Sequence, residues 1–360
     1  MPSRIRYKKV SEGIFMDNVE EKKAEYNKLK AEVFELTEEF IKEFSSNKDY
    51  LYLFCPKGIG DFLITAGLSH ALEEKFDKKA TILIAHEKIK RLGVVFPNVA
   101  KITAYPSQFM ASTSDWFHST QNYVFDNFIY ANFHYDGKKP IWNDKLNIID
   151  RFKENALDIP LDTPFWSPIV VTADKDTVAA LNEKYTLDKD KTIVLAPYAV
   201  TYHELTKQTG ENFWKDMAKR LKDKGYIVYT NVNGLAEKPI EGTEPLTTTF
   251  SELYYISDKV KCFVGVRSGI FDFLAMSEAK LFNLIPFGNW FWDIALIYPE
   301  SNSVTYHYTA EFKKNVVDNY FKKFGVTYEA QFHHKFINCK YISDSLDYIL
   351  ESIMDDIEKL

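Results

Sequence analysis

Cysteine is scarce in this chain of 360 residues: Cys55, Cys262 and Cys339 lie far apart and form no Cys-x-x-Cys pair. That excludes a disulfide framework and a cysteine-built zinc site, and points to a reducing compartment. A basic excess is also missing. Lys and Arg number 45 against 51 Asp and Glu, a net charge of −6, which argues against a nucleic-acid binder that must neutralise phosphates. The longest apolar-looking region, Leu281 to Tyr298, is interrupted by Asn283, Pro286, Gly288, Asn289 and Asp293 and is too broken to cross a bilayer. Arg4, Arg6, Lys8 and Lys9 are followed by no apolar stretch, so the N-terminus does not read as a secretory signal. No His-x-x-x-His with an intervening Glu and no Gly-x-Ser-x-Gly elbow occurs, so zinc-hydrolase and α/β-hydrolase chemistry lack their motifs, and no metal is expected. The pairs Asp174/Asp176 and Asp188/Asp190 lie in charged stretches flanking helices and read as surface charge.

What the chain does have is apolar mass. With 46% hydrophobic and 27% charged residues it can bury a large core, and its length suggests about two domains. Aromatic residues are abundant, with 28 Phe, 22 Tyr and 6 Trp.

Residues 20–44 predict a helix, with Tyr26, Leu29, Val33, Leu36, Phe40 and Phe44 recurring every three or four positions. From Tyr50 the pattern becomes strand (50–55), Gly-rich turn, helix and strand (80–85), a βαβ unit that implies a parallel sheet. The stretch from Trp116 to Trp142 is irregular. Pro160, Pro164 and Pro168 mark a break, after which the α/β alternation restarts. Strands are predicted at 192–196, 226–230, 261–265 and 281–285. Helices are predicted at 211–224, 251–258, from Arg267 to Met276, and at 343–359.

Three segments offer chemistry. Lys57-Gly-Ile-Gly-Asp61 sits at a strand-to-helix junction, where Gly58 and Gly60 allow close approach to a ligand and helix N–H groups are free. It is no P-loop, and Leu63 replaces the third glycine of the dinucleotide fingerprint. Glu87 past the second strand keeps a nicotinamide reading open. Asp61 stands in the first helical turn, where an acid also simply satisfies the helix dipole. The second segment, Val264-Gly-Val-Arg-Ser-Gly269, places Arg267, Ser268 and Gly269 at a helix start suited to a diphosphate. The alternative is a structural Arg267 paired with an acid such as Asp272. The third segment, residues 196–207, carries Tyr198, Thr201 and Tyr202, which could line a nucleotide, and Lys207, which could meet a phosphate or simply be solvated.

Together these segments resemble the heptosyltransferase-like (family 9-like) glycosyltransferases of the GT-B fold. The resemblance rests on Gly58-Ile-Gly-Asp-Phe-Leu-Ile-Thr65, Ala80–Ala85 and Phe96-Pro-Asn-Val99. It continues through Ala196-Pro197, Lys207 ahead of Phe213-Trp214, Asn233-Gly234 with Glu237, Val264–Gly269 and Phe287-Gly288. Two features depart from the family: Arg267 stands where an acid or amide is usual, and about 49 residues precede the first strand. Arg267 is similar to the basic donor-binding residue of GT-B fucosyltransferases, which places heptose as the donor sugar in question.

The resemblance implies an α/β fold of two Rossmann-like domains facing a cleft. Residues 1–49 would form a helical extension, 50–165 the acceptor domain, 166–335 the nucleotide-sugar donor domain and 336–360 a terminal helix. It implies an inverting, metal-independent transfer from a nucleotide-diphosphate sugar, a substrate rather than a cofactor, to a glycan or lipid-linked acceptor in surface polysaccharide or lipopolysaccharide synthesis. Asp61 would be the general base. Lys207, Arg267, Ser268 and Gly269, with Tyr198, Thr201 and Asp272, would bind the donor, and Trp116, His118 and His134 would border the acceptor. A cytoplasmic location follows, with peripheral membrane contact through the basic N-terminus, the helix at 20–44 or the Trp290–Trp292 loop. A nucleotide-sugar epimerase using His203 and Glu204, and a non-catalytic glycan-binding module of the same fold, are the alternatives. Aromatics clustered at 116–135 and 287–292 would offer flat rings to sugar faces.

Overall fold

A computed structural model of the chain describes residues 19–55, 58–84, 87–96, 99, 101–105, 124–130, 149, 153, 159–165, 174–199, 203–234, 237–286, 301–308, 339–341 and 346–360. Within these residues two sheets carry the architecture.

The N-terminal sheet has the order β3-β2-β1-β5-β4. Its strands are β1 (Tyr50–Cys55), β2 (Lys79–Ile84), β3 (Lys101–Ala104), β4 (Val124–Phe125) and β5 (Phe128–Tyr130). β1 pairs in parallel with both β2 and β5, and only the β4–β5 hairpin is antiparallel. Asp126 turns that hairpin at φ 58°, and Asn127 Nδ2 ties it to β1 by donating to the carbonyls of Asn47 and Tyr50 at 2.7 and 2.8 Å.

Apolar residues run unbroken through β1 and β2 because both faces are covered. On one face Leu51, Leu53, Cys55, Ile82, Ile84 and Ile129 meet Phe62, Leu63 and Ala66 of α2 (Ile59–Phe76). On the other, Tyr52, Phe54, Leu83 and Phe128 meet Phe34, Phe40, Ile41 and Phe44 of α1 (Val19–Ser46). Of the stripe expected along 20–44, Phe40 and Phe44 thus cover the back of the sheet, and the side chains of Tyr26, Leu29, Val33 and Leu36 lie outside the described residues. Phe128, inside the stretch whose aromatics were expected to border a cleft, is instead fully buried under α1.

A 3-10 helix (Glu87–Val95) follows β2. Beyond it the Val99 N–H donates to Phe96 O at 3.1 Å. The described part of the proline-rich break is a turn, Thr163 N–H to Pro160 O at 3.1 Å. Phe165 just beyond it packs where a Cβ on Gly67 would stand, 2.5 Å from its ring.

The C-terminal sheet is entirely parallel, in the order β12-β11-β10-β9-β6-β7-β8. Its strands are β6 (Thr192–Ala196), β7 (Ile227–Asn231), β8 (Glu244–Leu246), β9 (Cys262–Val266), β10 (Leu281–Pro286), β11 (Ser303–Tyr308) and β12 (Cys339–Tyr341). α3 (Lys175–Lys184), capped by Asp174, precedes β6. α4 (His203–Asp223), α5 (Phe250–Ser257) and α6 (Gly269–Leu274) connect the strands, and α7 (Leu346–Glu358) ends the chain.

The progression starts at β6, moves outward to β8, then returns to β9 on the other side of β6. That reversal is the doubly wound pattern, and it puts a topological switch point between β6 and β9. The helices divide accordingly. α4 and α7 pack on one face around Trp214, Met217, Val264 and Ile353. α5 and α6 pack on the other, and their cluster runs without interruption into the α2 face of the N-terminal sheet. The terminal helix is fastened to this C-terminal sheet, with Tyr306 Oη donating to Asp356 Oδ2 at 2.5 Å.

α4 starts at His203, eight residues before the helix start expected from the periodicity, and breaks at Gly210 (φ 67°, ψ 157°). The polar composition of 203–209 hid a helical turn, because helix formation there needs no apolar stripe of its own.

Candidate active site

Asp61, Arg267 and Asp272 come together where the two sheets face each other. Each arrives by the same device, a parallel strand ending in a turn into a helix. β1 ends at Cys55 and α2 begins at Ile59, which makes Asp61 the third helical residue. There its Oδ2 accepts from the Gly58 N–H at 3.2 Å, so the acid does satisfy a free amide of the helix start. Its other oxygen, Oδ1, is enclosed and has no hydrogen-bond donor, although the residue as a whole is part-exposed.

β9 ends at Val266, and Arg267 follows with its backbone N–H on Leu284 O at 3.0 Å, next to the switch point. Its guanidinium donates through Nη2 to Asp272 Oδ1 at 2.7 Å; Arg267 is 7% exposed and Asp272 not at all. Arg267 is therefore buried and paired with Asp272, the acid named above as its partner. Asp272 faces that arginine with Oδ1, while its Oδ2 has no donor; the Oγ of Ser268 is likewise enclosed and unbonded.

The two helix starts touch directly. A Cβ on Gly60 would collide with Asp272 Oδ2 and stand 3.6 Å from Arg267 Nη2. A Cβ on Gly269 would lie 2.5 Å from Ile59 Cβ and 3.3 Å from the Gly60 nitrogen. Gly60 and Gly269 are thus required less for loop flexibility than for closeness across the interface.

The electrostatics follow. Burial pushes the Asp61 carboxyl up to about 7; the Arg267 charge and the Gly58 N–H pull it down, and the Asp272 charge adds to the rise. Burial raises Asp272 to about 6, opposed by Arg267. An enclosed carboxylate with one unbonded oxygen and a proton affinity near neutrality is equipped to accept a proton from a hydroxyl group.

The remaining candidates scatter. Tyr198, past the end of β6, is part-buried and donates to Lys238 O at 2.6 Å. Lys207 lies in the first turns of α4, and its side chain is outside the described residues, as are Trp116, His118, His134, Thr201, Tyr202 and the Trp290–Trp292 loop. Glu87 is exposed and ion-paired with Lys90 at 2.8 Å. Glu237 accepts the Asn233 and Gly234 N–H groups at 2.8 Å each, and so shapes the loop beyond β7. Among the described residues no cluster of His, Cys, Asp and Glu has the makings of a metal site, and no helix is long and apolar enough to cross a membrane.

Sequence reasoning missed the contact of Ile59 and Gly60 with Gly269 and Asp272, since no spacing rule links positions so far apart. It also passed over Asn283, fully buried with both amide atoms unbonded. The signal there was a single amide inside the apolar run Leu281–Ile285.

No protein-family model matches the chain, and no curated protein is significantly similar to it. Solved structures are. The family 9 glycosyltransferase from Veillonella parvula superposes with a TM-score of 0.54 at 10% identity, over 86% of this chain and 96% of that one. The ADP-heptose LPS heptosyltransferase II of E. coli superposes with a TM-score of 0.52 at 13% identity, over 86% and 98%. The chain therefore has the fold of these glycosyltransferases, the GT-B arrangement of two Rossmann-like sheets that the motifs led one to expect.

Proposed function

We propose that the chain is a glycosyltransferase that moves a sugar from a nucleotide-diphosphate donor to a hydroxyl of a glycan or lipid-linked acceptor, as in surface polysaccharide or lipopolysaccharide synthesis. The observation that carries this reading is the Asp61 carboxyl, enclosed at the start of α2, with one oxygen unbonded and its proton affinity raised to about 7. The acceptor oxygen attacks the anomeric carbon while its proton passes to Asp61. The bond to the diphosphate breaks on the opposite side, so the anomeric configuration inverts.

The negative charge that develops on the leaving diphosphate falls to the C-terminal sheet. Arg267 stands at its switch point, the place where open α/β sheets take ligands, with Ser268 and Lys207 on flanking segments. A guanidinium already held in a water-poor setting stabilises such charge without reorganising, which is the work a divalent cation does in other transferases.

The test is a panel of nucleotide sugars screened for thermal stabilisation, followed by transfer assays on the wild type and Asp61→Asn. Retained donor binding with turnover reduced roughly 10²–10⁴-fold supports the base. Turnover equal to wild type removes Asp61 from the chemistry. If no nucleotide sugar stabilises the wild type, the reading gives way to a non-catalytic module of the same fold.

A further inference from the structure

The charged groups that act on Asp61 most strongly are one guanidinium and one further carboxylate. Asp61 comes from α2, Arg267 from the end of β9 and Asp272 from α6. The guanidinium is engaged on its own side: Nη2 meets Asp272 Oδ1 at 2.7 Å, with the acid fully buried. Asp272 also reaches across. Its Oδ2 occupies the space that a Cβ on Gly60 would need, one residue from Asp61. Neither that oxygen nor Asp61 Oδ1 receives a hydrogen bond. The guanidinium thus lies against the start of α2, 3.6 Å from the place of a Gly60 Cβ, and is bonded to the acid from the C-terminal sheet.

Resting on the glycosyl-transfer reading, we infer that Asp272 is a positioning residue for the acceptor-activating acid: it holds the Arg267 guanidinium on the C-terminal side of the interface, withholding from Asp61 the cation that would otherwise keep Asp61 ionised. A carboxylate that faces an arginine alone loses basicity. One whose arginine is claimed by a second acid keeps its affinity for a proton. The direction of the local fields agrees, since Arg267 lowers and Asp272 raises the proton affinity of Asp61. The same pairing fixes the guanidinium at the switch point, so one side chain sets both the strength of the base and the position of the anion receptor.

Asp272→Asn separates these effects from simple loss of structure. The amide oxygen still accepts from Arg267, while the negative charge is gone. Carboxyl ¹³C signals of labelled aspartate, assigned with Asp61→Asn and Asp272→Asn, report the titration of Asp61 without any need for turnover. In Asp272→Asn the Asp61 midpoint is expected to fall by about one pH unit or more. The acid limb of the transfer rate should move with it, and the plateau rate should drop severalfold as the base weakens. An unmoved Asp61 midpoint in folded Asp272→Asn overturns the inference. If that variant does not fold, the wild type decides: coupled acids each titrate in two steps that report the other, and two independent single-step curves overturn it. A moved midpoint with an unmoved activity limb upholds the coupling and removes Asp61 as the base, so the two readings fail separately.

Discussion

The two sheets reach similar architecture by different means. The C-terminal one is a continuous parallel sheet whose connecting helices cover both faces, with Trp214, Met217, Ile353 and Phe282 packed on one side. The N-terminal one uses α2 for one face but draws the cover for the other from α1, a helix ahead of its first strand, through Phe34, Phe40, Ile41 and Phe44. Their contributions at the interface differ in charge balance as well. The N-terminal sheet delivers an acid whose enclosed oxygen receives no hydrogen bond, and the C-terminal sheet delivers a cation together with its own acid. The C-terminal half pairs its guanidinium with its own acid, while the enclosed oxygen of the N-terminal acid has no hydrogen-bond donor.

The largest effect expected from breaking this contrast is at Arg267. Arg267→Ala strands Asp272 in a fully buried position and should destabilise the protein by about 3–5 kcal/mol in denaturant melts. Trp214→Ala should cost a comparable amount, about 3–5 kcal/mol, as it empties the centre of the C-terminal core. Asp61→Asn should act in the opposite direction, and its effect should depend on pH. The folded state holds the Asp61 proton up to about 7, whereas the ordinary value is 3.8. The native form therefore binds more protons than the unfolded chain across that window, and wild-type stability falls as pH rises through it. Melts at pH 8 should show Asp61→Asn more stable than wild type by about 2–4 kcal/mol, with the difference shrinking towards pH 4. A gain in stability paired with a loss of turnover marks a functional residue rather than a structural one.

Smaller effects should come from the contact itself and from α1. Gly60→Ala forces Asp272 away from the α2 backbone and should cost about 1–3 kcal/mol by calorimetry. Phe44→Ala, on a part-exposed ring against Tyr52 and Tyr105, should cost about 1–2 kcal/mol. Unfolding of α1 ahead of the rest, seen as early amide exchange over 34–46, would sharpen the view of it as an added cover.

Several of these features were legible in the sequence. The run 50–55, the glycines after it and the strand at 80–85 named the βαβ unit, and the structure places β1 at Tyr50–Cys55. The six-residue span Arg267–Asp272 held both the ligand-facing reading and the ion pair that the structure adopts. Short strands such as β8 and β12 were not legible, because three residues carry too little periodicity to be told from loop. The start of α4 was missed because its first turns are polar.

By itself the sequence determined where strands hand over to helices and which charged residues stand at those junctions. Both are local properties of apolar periodicity, glycine and the unsatisfied amides of a helix start. Only the tertiary structure decided that α2 and α6 meet end to end, that Asp272 rather than Asp61 takes the guanidinium, and that α1 lies over the N-terminal sheet. The first two outcomes depend on side chains some 200 positions apart competing for one desolvated space, and the energy of a buried charge is set by which neighbours share it.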